Sequence, residues 1–451
     1  MPHPSDSIAA LATPAGISAL AILRVSGPEA STIATAIWGA KPAVRTVHRA
    51  DYRDAAGALI DDVLATFFAG PNSYTGEDLL EISCHGSPFI VRRILEDLHA
   101  RGCRPAGPGE FTQRAFLNGR MDLSQAEAVM DLIHARGEKA LQAAQRQLRG
   151  ALGKRMQGLI TPLLRLAATV EAAIDFPEED IPPEDAAAAI AVIENAICEI
   201  RALAATRREG DLLRQGMTAV IVGEPNAGKS SLLNRLVGSE RALVSPEPGT
   251  TRDYIEESIT ASGYGIRLID TAGLNPSPAG IESLGMARSL ERAADADLLV
   301  LVLDASRPAS GIPPALGPLL RPESTLAVLN KADLLLEPVA ARPPAGFASV
   351  TVSALTGAGI ERLKEALGDY ARRLAPQTEE DGVVVNARHA RSLDEALMCG
   401  QSALAKFRNG EPSELIASDL RGLLDALGEI SGRIDHERVL DVLFATFCIG
   451  K

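Results

Sequence analysis

The octapeptide GEPNAGKS, Gly223 to Ser230, follows the apolar run TAVIV (218–222) directly and leads into the amphipathic stretch SLLNRLVG. A glycine-rich turn between strand and helix leaves little choice of fold, because its backbone N–H groups have to wrap an anion at the helix N-terminus. In that arrangement Lys229 reaches the β and γ phosphates of a nucleotide and Ser230 ligates Mg²⁺. Three further motifs lie in order at the ends of apolar runs: DTAG (270–273) after IRLI, NKAD (330–333) after TLAVL, and SAL (353–355). A carboxylate at Asp270 suits the Mg²⁺ shell, and a backbone N–H at Gly273 suits the γ-phosphate. Asp333 discriminates between bases, since a carboxylate accepts both N1–H and the exocyclic amine of guanine, and adenine offers no such donor pair. The motifs predict a GTP site built from Asn226, Ala227, Gly228, Lys229, Ser230 and Ser231, from Asp270, Thr271, Ala272 and Gly273, from Asn330, Lys331 and Asp333, and from Ser353, Ala354 and Leu355.

The 451 residues make about three domains. Between Thr218 and about Tyr370, helical segments separate the strand-like runs TAVIV, IRLID, LLVLVLD, TLAVLN and SVTVS, which predicts a mostly parallel, doubly wound sheet covered on both faces. Upstream, ALAILRV (19–25), VLATFFA (63–69) and LLEISCH (79–85) alternate with one helical stretch, Pro88 to Arg101, and predict an α+β domain. From Leu123 to about Arg214 the pattern is Ala-rich and helical, with a break at DFPEEDIPPED (175–185), and helix returns over 375–451. Helices on both sides of the α/β segment predict an insertion into a discontinuous helical domain. The expected boundaries are 1–118 for the N-terminal domain, 119–215 and 374–451 for the helical halves, and 216–373 for the inserted GTPase domain.

Charge and cysteine usage narrow the function classes. With 45 Lys and Arg against 58 Asp and Glu the net charge is −13, so nucleic-acid contact requires a local basic surface. The best candidate is Ile133 to Arg165, where Arg136, Lys139, Arg146, Arg149, Lys154, Arg155 and Arg165 face one acid, Glu138; a solvated helix face is the alternative. The five cysteines are scattered and form no CxxC pair, which fits a reducing cytosol. No apolar stretch reaches the roughly 18 to 20 residues that span a bilayer, and MPHPSDSIAA has no cationic segment followed by an apolar one, so a soluble cytoplasmic chain with no membrane contact is expected.

Leu274 follows DTAG, so no glutamine stands there to orient an attacking water. Glu282 in AGIESLG is the nearest carboxylate beyond, either a water-positioning group or a solvated acid at a helix start.

With these motifs in place, the sequence resembles the MnmE/TrmE family of tRNA-modification GTPases over essentially its whole length. PGTTRD (248–253) is similar to the family's first switch, and SIAALATPAG, RVSGP, PNSYTGEDLLEISCHG, PGEFTQRAFLNGRMDLSQAEAVMDLI, NARH and the terminal FCIGK match outside the insert. The resemblance implies an N-terminal domain that binds tetrahydrofolate and dimerises, so that the chain forms a homodimer. It also implies a flavoprotein partner, MnmG (GidA), binding FAD, with which a carboxymethylaminomethyl-type group is added at C5 of the wobble uridine of certain tRNAs. The one-carbon unit would come from 5-formyltetrahydrofolate or a related folate.

The residue roles that follow are likewise implied by resemblance. Asn226, Ser245, Glu247 and Thr250 would hold K⁺, which supplies the charge an arginine finger gives elsewhere; Thr251 would join Ser230 on Mg²⁺. Pro246, Pro248 and Gly249 complete that loop around GTP, and Glu282 matches a water-orienting glutamate. Arg24, Glu81, Arg120 and Lys451 fall at folate-binding positions, where cations suit the glutamate tail and a carboxylate suits the pterin N–H groups. Cys448 in FCIGK is a nucleophile, a redox group, a wall of the folate pocket, or a buried small hydrophobe. Three positions depart from the family pattern: Arg120 for the usual Lys, Ser87 for Gly, and Asn275 for Arg.

The competing reading is a GTP-dependent switch in RNA or ribosome assembly without modification chemistry. Such a factor should carry an RNA-binding module such as a GXXG-loop domain, and the flanks show none. An inactive scaffold is disfavoured by the full motif set.

Overall fold

The computed structural model describes residues 6–175, 183–238, 255–270, 290–307, 312, 316–335, 343, 345–375, 382–432, 447 and 450. The chain divides into two compact units, Met1–Met130 with Leu152–Leu164 and Leu424–Lys451, and Asp131–Ala151 with Arg165–Leu423.

The first unit opens with β1 (Ser7–Leu11), β2 (Ser18–Ser26), α1 (Glu29–Trp38), β3 (Val47–Arg53), β4 (Leu59–Phe68) and β5 (Leu79–Gly86), followed by α2 (Pro88–Ala100), β6 (Cys103–Pro105), α3 (Glu110–Leu117) and α4 (Leu123–His134). Its sheet runs β3-β4-β5-β2-β1-β6, and only the β1–β6 pair is parallel. Strand alternation sends Ala21, Leu23 and Val25 of β2 and Leu80, Ile82 and Cys84 of β5 into one core with Ile33 of α1 and Ile94 and Leu98 of α2. The intervening Arg24 and Glu81, paired in register, belong to the other face. The α+β reading therefore holds, with Pro88 at the start of α2 where its missing N–H costs nothing.

Sequence periodicity did not single out β1, β3 and β6. In β3 only Tyr52 is buried, as befits an edge strand, and β1 is a short, alanine-rich central strand with four of its five residues buried. β3 does alternate in burial, but its inward set of His48, Ala50 and Tyr52 is only weakly apolar, and β1 is too short to show a period, so neither run stands out.

The second unit carries α5 (Glu138–Leu148), part of α6 (Ala151–Asp175), α7 (Pro183–Ala205), α8 (Arg207–Gln215), β7 (Met217–Val222) and α9 (Lys229–Gly238). The chain continues through β8 (Ile255–Ala261), β9 (Tyr264–Asp270), β10 (Leu298–Asp304), β11 (Thr325–Asn330), β12 (Ala348–Thr351), α10 (Ile360–Leu374), α11 (Ala387–Asn409) and α12 (Ser413–Ser431). The sheet order is β12-β11-β10-β7-β9-β8, parallel except for the β8 edge. Met217, Ala219 and Ile221 enter one core with Leu232 and Leu236 of α9 and Leu363 and Leu367 of α10, while Val220, Val222, Leu299 and Leu301 enter a second core. All seven residues of β10 are buried, so both faces are covered as the continuous apolar runs predict. Fully burying each such Leu or Val is worth about 1.5 to 3 kcal/mol, which explains why so short a strand tolerates no polar residue before its end.

The helices flanking this sheet in sequence form as expected, and α11 starts with a capping box in which Asn386 Oδ1 accepts from His389 N and His389 Nδ1 from Asn386 N. The predicted loop over DFPEEDIPPED falls largely outside the described residues; α7 already begins at Pro183.

Candidate nucleotide site and N-terminal ion pair

Because β7 lies between β10 and β9, the loop after it opens at the point where strand order reverses, the usual place for a ligand in an open parallel sheet. Two glycines let the backbone close there. A Cβ on Gly223, at φ +146°, would lie 2.3 Å from Val302 O, and one on Gly228, at φ +92°, would lie 2.3 Å from Asn330 Nδ2. Asn226 takes φ +64°, a left-handed conformation that asparagine tolerates, and is exposed. Lys229, at the start of α9, donates through Nζ to Gly223 O (2.9 Å) and Glu224 O (2.8 Å). Burial lowers the pKa of its ammonium group, and the Asp270 carboxylate partly opposes that shift. Ser230 Oγ donates to Asp270 Oδ2 (2.8 Å), and Asp270 is 1% exposed. A hydroxyl and a carboxylate in contact are hard oxygen donors of the kind Mg²⁺ takes, so these two residues fit that ion.

One amide ties three motifs together. Asn330 Nδ2 donates to Ala227 O (3.0 Å), and Asn330 Oδ1 accepts from Ala354 N (3.0 Å), with Asn330 only 1% exposed. Its side chain is thus spent on holding the phosphate loop, NKAD and SAL in register rather than turned toward solvent. Ser353 Oγ donates to Asp333 Oδ1 and accepts from Thr356 N (3.1 Å), fixing an otherwise exposed carboxylate at the base-recognition position. Leu355 is 79% exposed beside it, and Ser231 is exposed on the first turn of α9.

Asp304 was not among the sequence candidates. It ends β10 in register with Asn330, accepts from Lys331 Nζ (2.8 Å), and accepts from both Ser306 N (3.0 Å) and Ser306 Oγ (2.6 Å). Burial by itself would raise its pKa, but the hydrogen bonds from Lys331 and Ser306 hold the carboxyl below the usual range. The available signal was an Asp-x-Ser turn closing a wholly apolar strand.

In the first unit, Arg24 and Glu81 are brought together: Arg24 Nε (3.0 Å) and Nη2 (2.6 Å) both donate to Glu81 Oε1. The guanidinium lies 5.3 Å from the Tyr74 ring centre and 5.7 Å from that of the buried Phe111, cation–π contacts that motif reasoning missed. Arg120 is exposed; its stem packs against Gly76, in the loop that carries Tyr74, and no contact joins it to the Arg24–Glu81 pair among the described residues. Gly450 packs so closely on the end of β1 that a Cβ there would lie 2.2 Å from Leu11 O, which brings the chain terminus to the strand beside β2.

The other expected residues, Ser245, Pro246, Glu247, Pro248, Gly249, Thr250, Thr251, Thr271, Ala272, Gly273, Glu282, Cys448 and Lys451, lie outside the described residues.

A parallel sheet with a phosphate loop at its switch point, a lysine and serine on the following helix, and Asp333 held by Ser353 define a phosphate-loop GTPase. The profile of the MnmE helical domain matches residues 123–448, and that of the N-terminus of GTP-binding protein TrmE matches residues 7–120. A "tRNA modification GTPase MnmE" of Opitutus terrae is 58% identical over 452 residues, covering 100% of both chains. Proteins of the same description are 43% identical in Akkermansia muciniphila, over 100% of each chain, and 41% identical in Pseudomonas aeruginosa, over 99% of each. The chain belongs to the MnmE family of tRNA modification GTPases, as its motifs implied.

Proposed function

We propose that the protein hydrolyses GTP with K⁺ stimulation and, with the flavoprotein MnmG, adds a carboxymethylaminomethyl-type group at C5 of the wobble uridine of certain tRNAs, using a tetrahydrofolate one-carbon unit. The observation that carries the reading is the Asn330 amide, which locks phosphate loop and base-recognition motifs into one preformed guanine-nucleotide site. Lys229 and Ser230 would take the phosphates and Mg²⁺, with Thr251 as second ligand to the ion. Asn226, whose left-handed backbone sets it exposed on the loop, would hold K⁺ with Ser245, Glu247 and Thr250. The cation supplies positive charge where phosphoryl transfer builds negative charge.

The Arg24–Glu81 pair has the charge chemistry for a folate: Glu81 Oε2 makes no hydrogen bond among the described residues and would accept from pterin N–H groups, with the Arg24 guanidinium beside it. Arg120 and Lys451 would serve the glutamate tail, and Cys448 sits in the same terminal motif. Ile17, Leu20 and Leu64 are exposed on the first unit and offer apolar surface to a second copy, consistent with a homodimer. No helix among the described residues is long and apolar enough to cross a membrane, and a cytoplasmic location fits a tRNA substrate. The boundaries 1–118, 119–215, 216–373 and 374–451 remain our division of these roles along the chain.

GTP hydrolysis at equal ionic strength is expected to be faster in K⁺ than in Na⁺, by about tenfold or more, the scale of losing one charge-stabilising contact in a transition state. Asn226→Ala should abolish that difference while leaving GDP affinity nearly unchanged. Equal rates in the two salts would remove K⁺ from the account.

For tRNA, α5 exposes Lys139 and Arg146, Arg149 is exposed at its C-cap, and Lys154 is exposed on α6. Arg155 is half-buried with a partner of its own, so it is a weaker candidate than its spacing suggested. Replacing Arg146, Arg149 and Lys154 by alanine should weaken all substrate tRNAs alike and flatten the logarithmic salt slope by about 0.7 to 0.9 per lost phosphate contact. Unchanged affinity and slope in the folded variant would move the RNA surface to the flavoprotein.

A further inference from the structure

Lys331 occupies a left-handed backbone conformation, φ 65° and ψ 37°, which costs an L-residue roughly 1 to 2 kcal/mol and needs fixed neighbours to persist. Two backbone hydrogen bonds fix those neighbours: Ala305 N donates to Asn330 O (2.8 Å), and Ala332 N donates to Val352 O (3.1 Å). The turn carries the lysine side chain across the end of β10, where its Nζ meets Asp304 Oδ2 at 2.8 Å. The two side chains are 29% and 7% exposed, so the pair is shielded on the carboxylate side. Asp304 itself cannot swing, because Oδ1 accepts both the N–H and the hydroxyl of Ser306.

We propose that Asp304 is a positioning residue for guanine-nucleotide binding, acting through Lys331. A free lysine has about 2 kcal/mol of rotamer entropy to lose. Clamped at its tip by a fixed carboxylate, the Lys331 side chain is already held when the nucleotide arrives, two residues from Asp333. Binding then avoids most of the ordering cost, which is how preorganisation raises affinity without adding a contact. The inference rests on the nucleotide-site reading above. A strand-end ion pair that only stabilises the fold is the bland alternative, and it predicts no dependence of ligand affinity on the partner residue.

The test is a double-mutant cycle on the full chain, with the dissociation constant of GDP and the turnover number at saturating GTP as readouts. Lys331→Ala and Asp304→Asn should each weaken GDP by about tenfold, within the range seen for residues in direct contact, and the double variant should be no weaker than Lys331→Ala alone. For Asp304→Asn the loss in GDP affinity should exceed any loss in turnover at saturating GTP, because the effect is on binding. Asp304→Asn keeps the shape and the acceptor for Ser306; should it fail to fold, Ser306→Ala, which loosens the carboxylate and leaves the ion pair, gives the same cycle with a smaller effect. If the Asp304→Asn penalty persists in full on the Lys331→Ala background, or if GDP affinity does not change, Asp304 is a structural residue and the inference fails while the site reading stands. If Lys331→Ala leaves GDP affinity intact, the site reading fails and takes the inference with it.

Discussion

Asp333→Asn should weaken GTP binding by about a hundredfold or more and transfer the preference to xanthosine triphosphate. In the proposed reading Asp333 accepts from two guanine donors, and a pocket built on such hydrogen bonds rejects a mismatched partner strongly, because a polar group is left unpaired. Ser353 occupies one lone pair of Asp333 Oδ1 and thereby fixes the plane of the carboxylate, so the exchanged amide should keep the same orientation and present an N–H donor to the C2 carbonyl of xanthine. Competition binding with both nucleotides measures this directly. An intact preference for GTP over xanthosine triphosphate in the variant would show that Asp333 does not read the base.

The second large effect is on turnover. Glu282→Ala should lower the turnover number by about 10² or more, the usual scale of a lost general base or water-positioning group, and change GTP affinity little. The expectation rests on Leu274 standing where other GTPases place a water-orienting glutamine, and on Glu282 as the nearest carboxylate beyond it. Single-turnover hydrolysis with saturating enzyme separates the two quantities. Unchanged turnover would return Glu282 to a solvated acid at a helix start.

The inserted sheet was legible because its strands are buried on both faces, so apolar runs such as LLVLVLD marked both the strand and its end. The motifs then fell at the C-terminal ends of β7, β9 and β11, where a parallel sheet presents ligands. What sequence could not give was how those ends are joined. Asn330 read only as one member of NKAD in the GTP site, whereas its amide bridges Ala227 and Ala354, a relation between residues 103 and 24 positions away. Asp304 looked like the last letter of a strand, and only the parallel register with Asn330 brings it under Lys331. In the N-terminal domain the cross-strand register set Arg24 opposite Glu81, while the aromatic rings under its guanidinium came from a loop and from α3, whose spacing carries no signal. The edge strand β3 was missed because solvent, rather than a core, faces most of its side chains.

Mass analysis of wobble nucleosides from cells lacking the protein tests the proposed role in wobble uridine modification. The C5 carboxymethylaminomethyl-type substituent should disappear from the affected tRNAs and return with the wild-type chain but not with Glu282→Ala. An unaltered nucleoside profile in the deletion strain would contradict it.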